Sequence, residues 1–291
     1  MKKIKFLALC AVAAGVVTSC QKDEIADSTT PDVSSIELSK SQIEALEKAG
    51  VNPLGAELIT VQHFNEAPYQ AIATGNMNGT KDLVIKLEDL MNGTHALQGD
   101  GLEKQYRTNS LVSRSKSTIS VIGYTGSGYA LTSRMRTGLQ WAVDNYNALG
   151  LTFRMTLSFA ASTNADMVVY NAGGSGAGGQ AEFPSGGNPG KYIQILGGMA
   201  SYNNNVNEHV IGHEMGHAVG FRHTDYARRR CDGSNEGTAG SIGAVHIPGT
   251  PTANQWGQSG LDSGSLMISC FDGSEDGEFS NADRTALQYL Y

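Results

Sequence analysis

The chain has 291 residues, 40% of them hydrophobic, and a formal net charge of −7. This length allows one or two domains with substantial cores, and the acidic balance argues against a nucleic-acid partner. The one basic run, Arg228-Arg229-Arg230, is more typical of a loop clamp or a solvated face than of a DNA-binding stripe.

The N-terminus has the pattern of a secretion signal. Lysines precede an apolar run over residues 6–17 that is too short for a comfortable transmembrane helix. Val17-Thr18-Ser19-Cys20 resembles the bacterial lipobox, whose cysteine is lipidated. We predict a lipoprotein signal peptide over residues 1–20 and an exported outer-membrane or cell-surface protein that contacts the membrane only through a lipid on Cys20. An ordinary secreted protein is the alternative.

Two N-terminal stretches follow the signal. Residues 21–35 are polar and are predicted to be a flexible tether. Residues 36–112 begin with a short helix, because Ser39 and Gln42 have the spacing of a capping box. Short apolar runs separated by Asn/Gly turns then alternate without a chemical motif. We interpret residues 36–112 as a propeptide or an accessory segment. A further alternative is that residues 31–112 are an independent adhesion or binding module.

From Thr118 onward the elements are regular and alternate in type. The patterns predict strands at 119–124, 151–157, 167–170, 180–183 and 191–196, and helices at 132–150, 205–219 and from 280 to the C-terminus. Strands interspersed with long helices indicate one mixed sheet with helices packed against it, which is an α+β fold.

The helix predicted at 205–219 carries the sequence's most specific motif. His213 and His217 are four residues apart, so their rings project from one helix face, and Glu214 lies beside the first. Gly220 allows a turn out of the helix that brings back His223 as a third nitrogen ligand. Three protein ligands leave a fourth coordination position open, which is typical of a catalytic rather than a structural zinc ion. His209 lies one turn earlier and is predicted to be a packing residue.

Cysteine usage agrees with export. Loss of Cys10 with the signal and lipidation of Cys20 leave only Cys231 and Cys270, for which we predict one disulfide, with two free thiols as the alternative. The acidic stretch 272–278 could take calcium, but a solvated loop is the preferred interpretation, so one zinc ion is the only cofactor we predict.

These residues carry a family resemblance. The extended zinc motif resembles that of the metzincin metallopeptidases, and Ser265-Leu266-Met267 resembles their methionine turn. The stretches around 223–226, 246–251 and 279–291 look most like the bacterial dual-action HEIGH metallopeptidase family. The resemblance implies a catalytic domain over residues 113–291, with a five-stranded mixed twisted sheet, a zinc-binding active-site helix, the turn at Met267 and a C-terminal helix.

The resemblance also implies a mode of substrate binding. An edge strand would pair with an extended protein or peptide substrate above the metal, and Gln180-Ala181-Glu182-Phe183 is the best candidate for that edge. Zinc would activate a water molecule for attack on an internal peptide bond, with Glu214 as general base and then general acid. We expect a monomeric zinc metalloendopeptidase. The alternative is a zinc-stabilised surface lipoprotein that binds a peptide or glycan without cleaving it.

Two features found in other metzincins, a tyrosine after the turn methionine and a propeptide cysteine, are absent from this sequence. Ser269 occupies the position where astacin-like and serralysin-like enzymes have a tyrosine, and no cysteine between Gln21 and Arg230 could form a cysteine switch. Asp100 is a candidate to block the metal instead, as an aspartate does in some other metzincins. Asp225, or a backbone carbonyl, is the candidate to orient a ligand imidazole.

Overall fold

The structure is a computed structural model that describes residues 37–49, 51–64, 66–74, 81–93, 105–237 and 244–291. The predicted signal peptide (residues 1–20), the predicted tether (residues 21–35) and Asp100 lie outside the described residues. All described residues belong to one compact unit. Within these ranges, no helix is both long and apolar enough to cross a bilayer.

The first part of the chain forms four strands and two short helices. In chain order they are α1 (Lys40–Lys48), β1 (Glu57–Val61), β2 (Tyr69–Thr74), β3 (Leu83–Lys86), α2 (Leu87–Asn92) and the two-residue strand β4 (Tyr106–Arg107). Helix α1 begins at the predicted capping box, in which Ser39 and Gln42 satisfy each other's backbone N–H groups.

The remainder of the chain contains the longer elements. They are β5 (Thr118–Tyr124), α3 (Ser133–Ala148), β6 (Arg154–Ala160), β7 (Met167–Gly173), β8 (Gly179–Glu182), β9 (Tyr192–Leu196), a 3-10 helix (Gly197–Ser201), α4 (Asn204–Ala218), β10 (Val245–His246) and α5 (Asn281–Leu290). Strand β6 starts later than the predicted 151–157, because Phe153 is buried ahead of the strand and extends the apolar pattern.

One large sheet has the strand order β1-β2-β3-β8-β9-β7-β5-β6. The five strands from β5 to β9 are neighbours, with β8 antiparallel to β9 and the other pairs parallel, so the predicted α+β class is confirmed. The predicted count of five is too low for the sheet that the described residues form, which has eight strands. The other three come from residues 57–86, where β3 pairs in parallel with β8.

Helices α3 and α4 pack closely against each other beside the sheet. A Cβ on Gly138 of α3 would lie 2.6 Å from the backbone nitrogen of Glu208 in α4, so only glycine permits this approach. The main core includes side chains from α3, α4, α5 and the sheet, among them Met135, Leu139, Met155, Ile193, Val210 and Leu287. This packing fixes α4, which carries the candidate site, against strands β8 and β9 of the sheet.

Candidate metal centre

Helix α4 places His213 and His217 side by side. The Asn203 side chain caps the helix by accepting a hydrogen bond from the Val206 N–H, at 3.0 Å. The helix is buried from Val206 to Ala218. The two histidines are one turn apart, and their Nε2 atoms lie 3.0 Å from each other.

Gly220 then turns the chain so that His223 completes the group. Its φ of +112° is in the region that favours glycine, and a Cβ there would lie 2.8 Å from the Ser110 carbonyl oxygen. After this turn, Nε2 of His223 lies 3.1 Å from that of His213 and 3.2 Å from that of His217. The structure therefore brings together the three histidines of the motif.

The second nitrogen of each ring has a hydrogen-bond acceptor. Nδ1 of His213 lies 2.8 Å from the Leu266 carbonyl oxygen, and Nδ1 of His217 lies 2.8 Å from that of Phe221. Nδ1 of His223 contacts a carboxylate oxygen of Glu236. These partners place the ring protons on the Nδ1 atoms.

Three Nε2 atoms thus converge, which is the arrangement of donor atoms that a metal cation needs. A tetrahedral zinc ion with Zn–N bonds of ~2.05 Å separates its ligand nitrogens by ~3.3 Å, close to the observed 3.0–3.2 Å. Imidazole nitrogens in this number are ligands that zinc accepts readily. The residues present therefore fit a zinc ion.

The pKa values of the histidines depend on the charges around them. Burial and the neighbouring imidazoles hold the pKa of His213 well below its ordinary value, and burial and His223 lower that of His217 to about 3. Burial also opposes the charged form of His223, but the carboxylates of Glu236 and Asp82 outweigh it and raise its pKa to about 9. The pocket therefore attracts positive charge on the side where His223 lies.

A carboxylate from the N-terminal part of the chain joins the histidines. Oδ2 of Asp82 lies 3.2 Å from Nε2 of His223, and the side chain has no exposed surface. The ligand atoms of Asp82, His213, His217 and His223 all lie within 4.8 Å of one another, and together they could hold a metal ion. Sequence reasoning considered Asp100 for this role and did not single out Asp82.

Glu214 lies on the same helix, next to the metal-binding group. It is fully buried, and neither carboxylate oxygen has a hydrogen-bond partner among the described residues. Burial, together with the nearby charge of Asp82, raises the pKa of Glu214 well above its ordinary value. A buried carboxyl with two unused oxygens is suited to taking up and giving back a proton.

Met267 packs against α4 at Gly216, between His213 and His217. It is buried, and a Cβ on Gly216 of α4 would collide with its sulfur atom. The Met267 carbonyl oxygen accepts a hydrogen bond from the Thr224 N–H, at 2.8 Å, next to His223. Asp283 of the α5 cap supports the same turn by accepting a hydrogen bond from the Leu266 N–H, at 2.7 Å.

Buried charges surround His223. Arg222 donates to Glu236 at 3.1 Å, and Nη2 of Arg229 lies 3.4 Å from Oδ2 of Asp82. Burial opposes ionisation of Glu236, but His223 and Arg229 hold its pKa below the ordinary value. Glu236 was missed by sequence reasoning, since no spacing links it to the motif. It orients His223, a role for which Asp225 was a candidate.

Asp225 instead organises the loop that follows. It accepts hydrogen bonds from the Ser269 N–H at 3.0 Å and from the Arg230 N–H at 2.7 Å. The predicted alternative, a backbone carbonyl, is what faces His213 and His217. Ser269, at the position where astacin-like and serralysin-like enzymes have a tyrosine, is buried and donates its hydroxyl to Asp225.

Cys231 and Cys270 form the predicted disulfide, with Cα atoms 5.8 Å apart. Beside it, the Arg230 guanidinium donates to the Cys270 carbonyl oxygen at 3.2 Å and lies over the Trp256 ring at 4.9 Å. The basic run therefore contains a loop clamp, as one of the two sequence interpretations proposed.

The predicted edge residues lie in and just after β8, but β8 is not an edge of the complete sheet. It is the outermost of the five strands from β5 to β9, and β3 covers its free side. Gln180, Ala181 and Glu182 belong to the strand, whereas Phe183 follows it and packs in a core with Leu83. A Cβ on Gly179 would lie 2.6 Å from Cγ of Glu214, so β8 passes directly beside that carboxyl.

Comparison with known proteins identifies a family. The model of the dual-action HEIGH metallo-peptidases matches residues 80–291, which is most of the chain. A search of curated proteins found no match. Among solved structures, one of myroilysin is 13% identical and covers 69% of this chain and 95% of that chain, with a TM-score of 0.37. A second myroilysin structure is 14% identical and covers 66% and 92%, with a TM-score of 0.34.

Proposed function

Since the chain belongs to the dual-action HEIGH metallo-peptidase family, we propose that it is a monomeric, exported zinc endopeptidase of the metzincin type. The observation that carries this proposal is the convergence of three Nε2 atoms beside Glu214, whose two buried oxygens have no partner among the described residues. His213, His217 and His223 would hold the ion.

Zinc, when bound, would supply a Lewis acid that polarises the scissile carbonyl and makes water more acidic. Glu214 would accept a proton from the attacking water and deliver it to the leaving amine. Its raised pKa suits the second task, because a carboxyl that holds its proton near neutral pH can act as an acid there. Met267 and the acceptors behind the imidazoles would keep the ligands in place without contacting substrate.

The substrate would be a protein or peptide in extended conformation. Once β3 no longer pairs with β8, Gln180, Ala181 and Glu182 would provide backbone groups for strand addition beside Glu214, and Phe183 would lie at the end of that strand. The passage of Gly179 along the Glu214 side chain supports this placement, because a peptide on β8 would run next to the general base.

The exported state is proposed from the N-terminal sequence. The charged start, the apolar run over 6–17 and Cys20 after a lipobox-like sequence support cleavage before Cys20 and lipidation of its thiol. Mass spectrometry of the N-terminal peptide from cells of the source organism tests this directly. A diacylglyceryl-modified peptide beginning at Cys20 is expected, and an unmodified peptide beginning elsewhere would contradict it.

Substitution of Glu214 tests the peptidase proposal. We expect the Glu214→Ala chain to keep about one zinc ion and to lose cleavage of casein and of unstructured peptides. The matched control is Glu88→Gln, which removes an exposed carboxyl and leaves cleavage unchanged. Full activity in Glu214→Ala would overturn the proposal.

The alternative function has one observation in its favour. With Asp82 beside the three histidines, the described site has four protein ligands, as structural zinc sites do. A zinc-stabilised surface lipoprotein that binds a peptide or glycan would keep that closed arrangement permanently. Mass spectrometry of a peptide library after incubation separates the two functions, because only the peptidase produces new termini.

A further inference from the structure

We infer that the β1–β3 unit (residues 57–86) is an intramolecular inhibitor, with Asp82 as a removable fourth ligand and β3 as a cover on the substrate strand. This inference rests on the proposed function, and it assigns that site a latent state. It goes beyond the propeptide interpretation by naming the residue and the strand that close the site.

The Asp82 carboxylate occupies the place that a catalytic metal site must keep open. Its Oδ2 lies 3.2 Å from Nε2 of His223, and its Oδ1 is buried without a hydrogen-bond partner within the described part of the chain. A buried carboxylate oxygen with no partner is costly unless it faces a cation. If the histidines hold a metal ion, Asp82 would be its fourth ligand and would leave no position for a water molecule or a carbonyl group.

Arg229 holds the Asp82 carboxylate in this place. The arginine is buried, and its guanidinium lies 3.4 Å from Asp82 and 3.2 Å from Glu236. It therefore joins the inserted carboxylate to the residue that orients His223. When Asp82 leaves, Glu236 still lies 3.2 Å from Arg229, so this arginine keeps a carboxylate partner in the open state.

Strand β3 occupies the side of β8 on which a substrate would be added. The Ala181 N–H donates to the Asp82 carbonyl oxygen at 3.0 Å, and the Gln180 side chain donates to that of Lys81 at 2.5 Å. Leu83 pairs with Ala181 in a parallel register. A peptide adding to β8 needs the same backbone groups, so β3 and substrate exclude each other.

The unit docks as a folded body, not as a single strand. Its side chains Ile72, Leu83 and Ile85 share a buried core with Phe183, which follows β8. At the other end, His63 stacks on Tyr192 with ring centroids 3.9 Å apart and contacts the Tyr170 hydroxyl at 2.6 Å. Spontaneous release would expose this apolar surface, so only a small fraction of the uncut chain is open, and lasting release requires cleavage of the chain or a competing partner.

The test uses the full chain loaded with Co²⁺ in place of zinc, and acetohydroxamate as a small metal-binding probe. The visible spectrum of Co²⁺ reports its ligands without any catalytic turnover. In the wild-type chain we expect acetohydroxamate to change the spectrum only at high concentration. In Asp82→Asn we expect binding about 100-fold tighter, the factor imposed by a closed state that is about 99% populated.

Glu88→Gln is the matched control, because it removes an exposed carboxyl from the helix that follows β3. It should bind the probe like wild type. Equal probe affinity in wild type and Asp82→Asn would overturn the inference. Tight binding to the wild-type chain would also overturn it, and this arm decides the matter even if Asp82→Asn fails to fold.

Peptide cleavage by the same zinc-loaded chains separates this inference from the proposed function. Slow cleavage by wild type and faster cleavage by Asp82→Asn supports both. If the two chains differ in affinity for the probe but neither cleaves peptide, Asp82 still closes the metal site and the peptidase proposal is wrong. If wild type and Asp82→Asn cleave peptide equally and bind the probe equally, the chain is a peptidase but the β1–β3 unit is not its inhibitor.

Discussion

The side chain of Met267 lies so close to Gly216 that a β-carbon on this glycine would collide with the methionine sulfur. This contact joins the turn around Met267 to the middle of α4, between the positions of His213 and His217. The preceding residue, Leu266, supplies the carbonyl oxygen that faces Nδ1 of His213. The contact therefore couples the packing of the turn to the orientation of a candidate ligand.

We predict that Gly216→Ala destabilises the chain by about 1–3 kcal/mol through overpacking and weakens zinc binding, because Met267 and Leu266 must move. Gly212→Ala is the matched control on the same helix, since its Cβ would lie 3.3 Å from a terminal methyl of Leu266. The control should stay within about 1 kcal/mol of wild type. Urea unfolding and zinc competition with a chelator measure both effects, and equal losses in the two variants would contradict the prediction.

Glu236 should be needed for metal affinity. Its carboxylate contacts Nδ1 of His223, so we expect Glu236→Gln to lower zinc affinity by roughly 10–100-fold. Asp225→Asn is the comparison, because Asp225 bonds Ser269 and Arg230 and not an imidazole. This variant should lose stability while zinc affinity is retained. Similar affinities in the two variants would show that Glu236 does not orient His223.

Glu208 should make stability depend on pH. Burial, and then the charges of Glu278 and Asp276, raise its pKa from 4.5 to about 7. Because the folded chain holds this proton more tightly than the unfolded chain, its contribution to stability is lost as pH rises from about 4.5 through 7.

Replacement of Glu208 by glutamine removes this loss and keeps an oxygen for the Asn145 side chain, which donates to Glu208 at 2.8 Å. Relative to wild type, Glu208→Gln should gain on the order of 2 kcal/mol more free energy of unfolding at pH 8 than at pH 4. Glu44→Gln, which replaces an exposed carboxyl, is the comparison variant. Thermal unfolding at the two pH values measures this, and a gain that does not change with pH would refute the assignment.

The disulfide should stabilise the loop region without holding the metal. Cys231 and Cys270 are 39 residues apart, for which chain entropy predicts a contribution of about 4 kcal/mol. We expect the Cys231→Ser/Cys270→Ser double variant to unfold at lower urea concentration and still to bind about one zinc ion. Loss of zinc binding from a chain that remains folded would contradict this.

The sequence was informative where structure is set by neighbours along the chain. The spacing within 213–223, the cap at Ser39 and the cap at Ser280 depend on residues a few positions apart, and each element forms as predicted. Asp82 and Glu236 reach the site through tertiary packing. Asp82 arrives because β3 pairs with β8, and alternation within a strand does not specify which strand it will pair with.

For the same reason, β8 was predicted to be an open edge. The prediction came from the family resemblance, which implies a substrate-binding edge strand, but residues 57–86 of the same chain cover β8. Periodicity describes the buried face of a strand and carries no information on whether its backbone groups are paired. The three additional strands therefore follow from long-range pairing that no local pattern encodes.

Hydrolysis in water enriched with oxygen-18 tests directly whether the zinc-loaded chain cleaves peptide bonds with the help of Glu214. Wild type and Asp82→Asn, each carrying one zinc ion, are incubated with a peptide library, alongside the same chains with Glu214→Gln. We predict internal cleavage products with one heavy oxygen at each new carboxyl end, and we predict that these products are lost when Glu214 is replaced. No products from either zinc-loaded chain, or equal product formation after Glu214→Gln, would contradict this prediction.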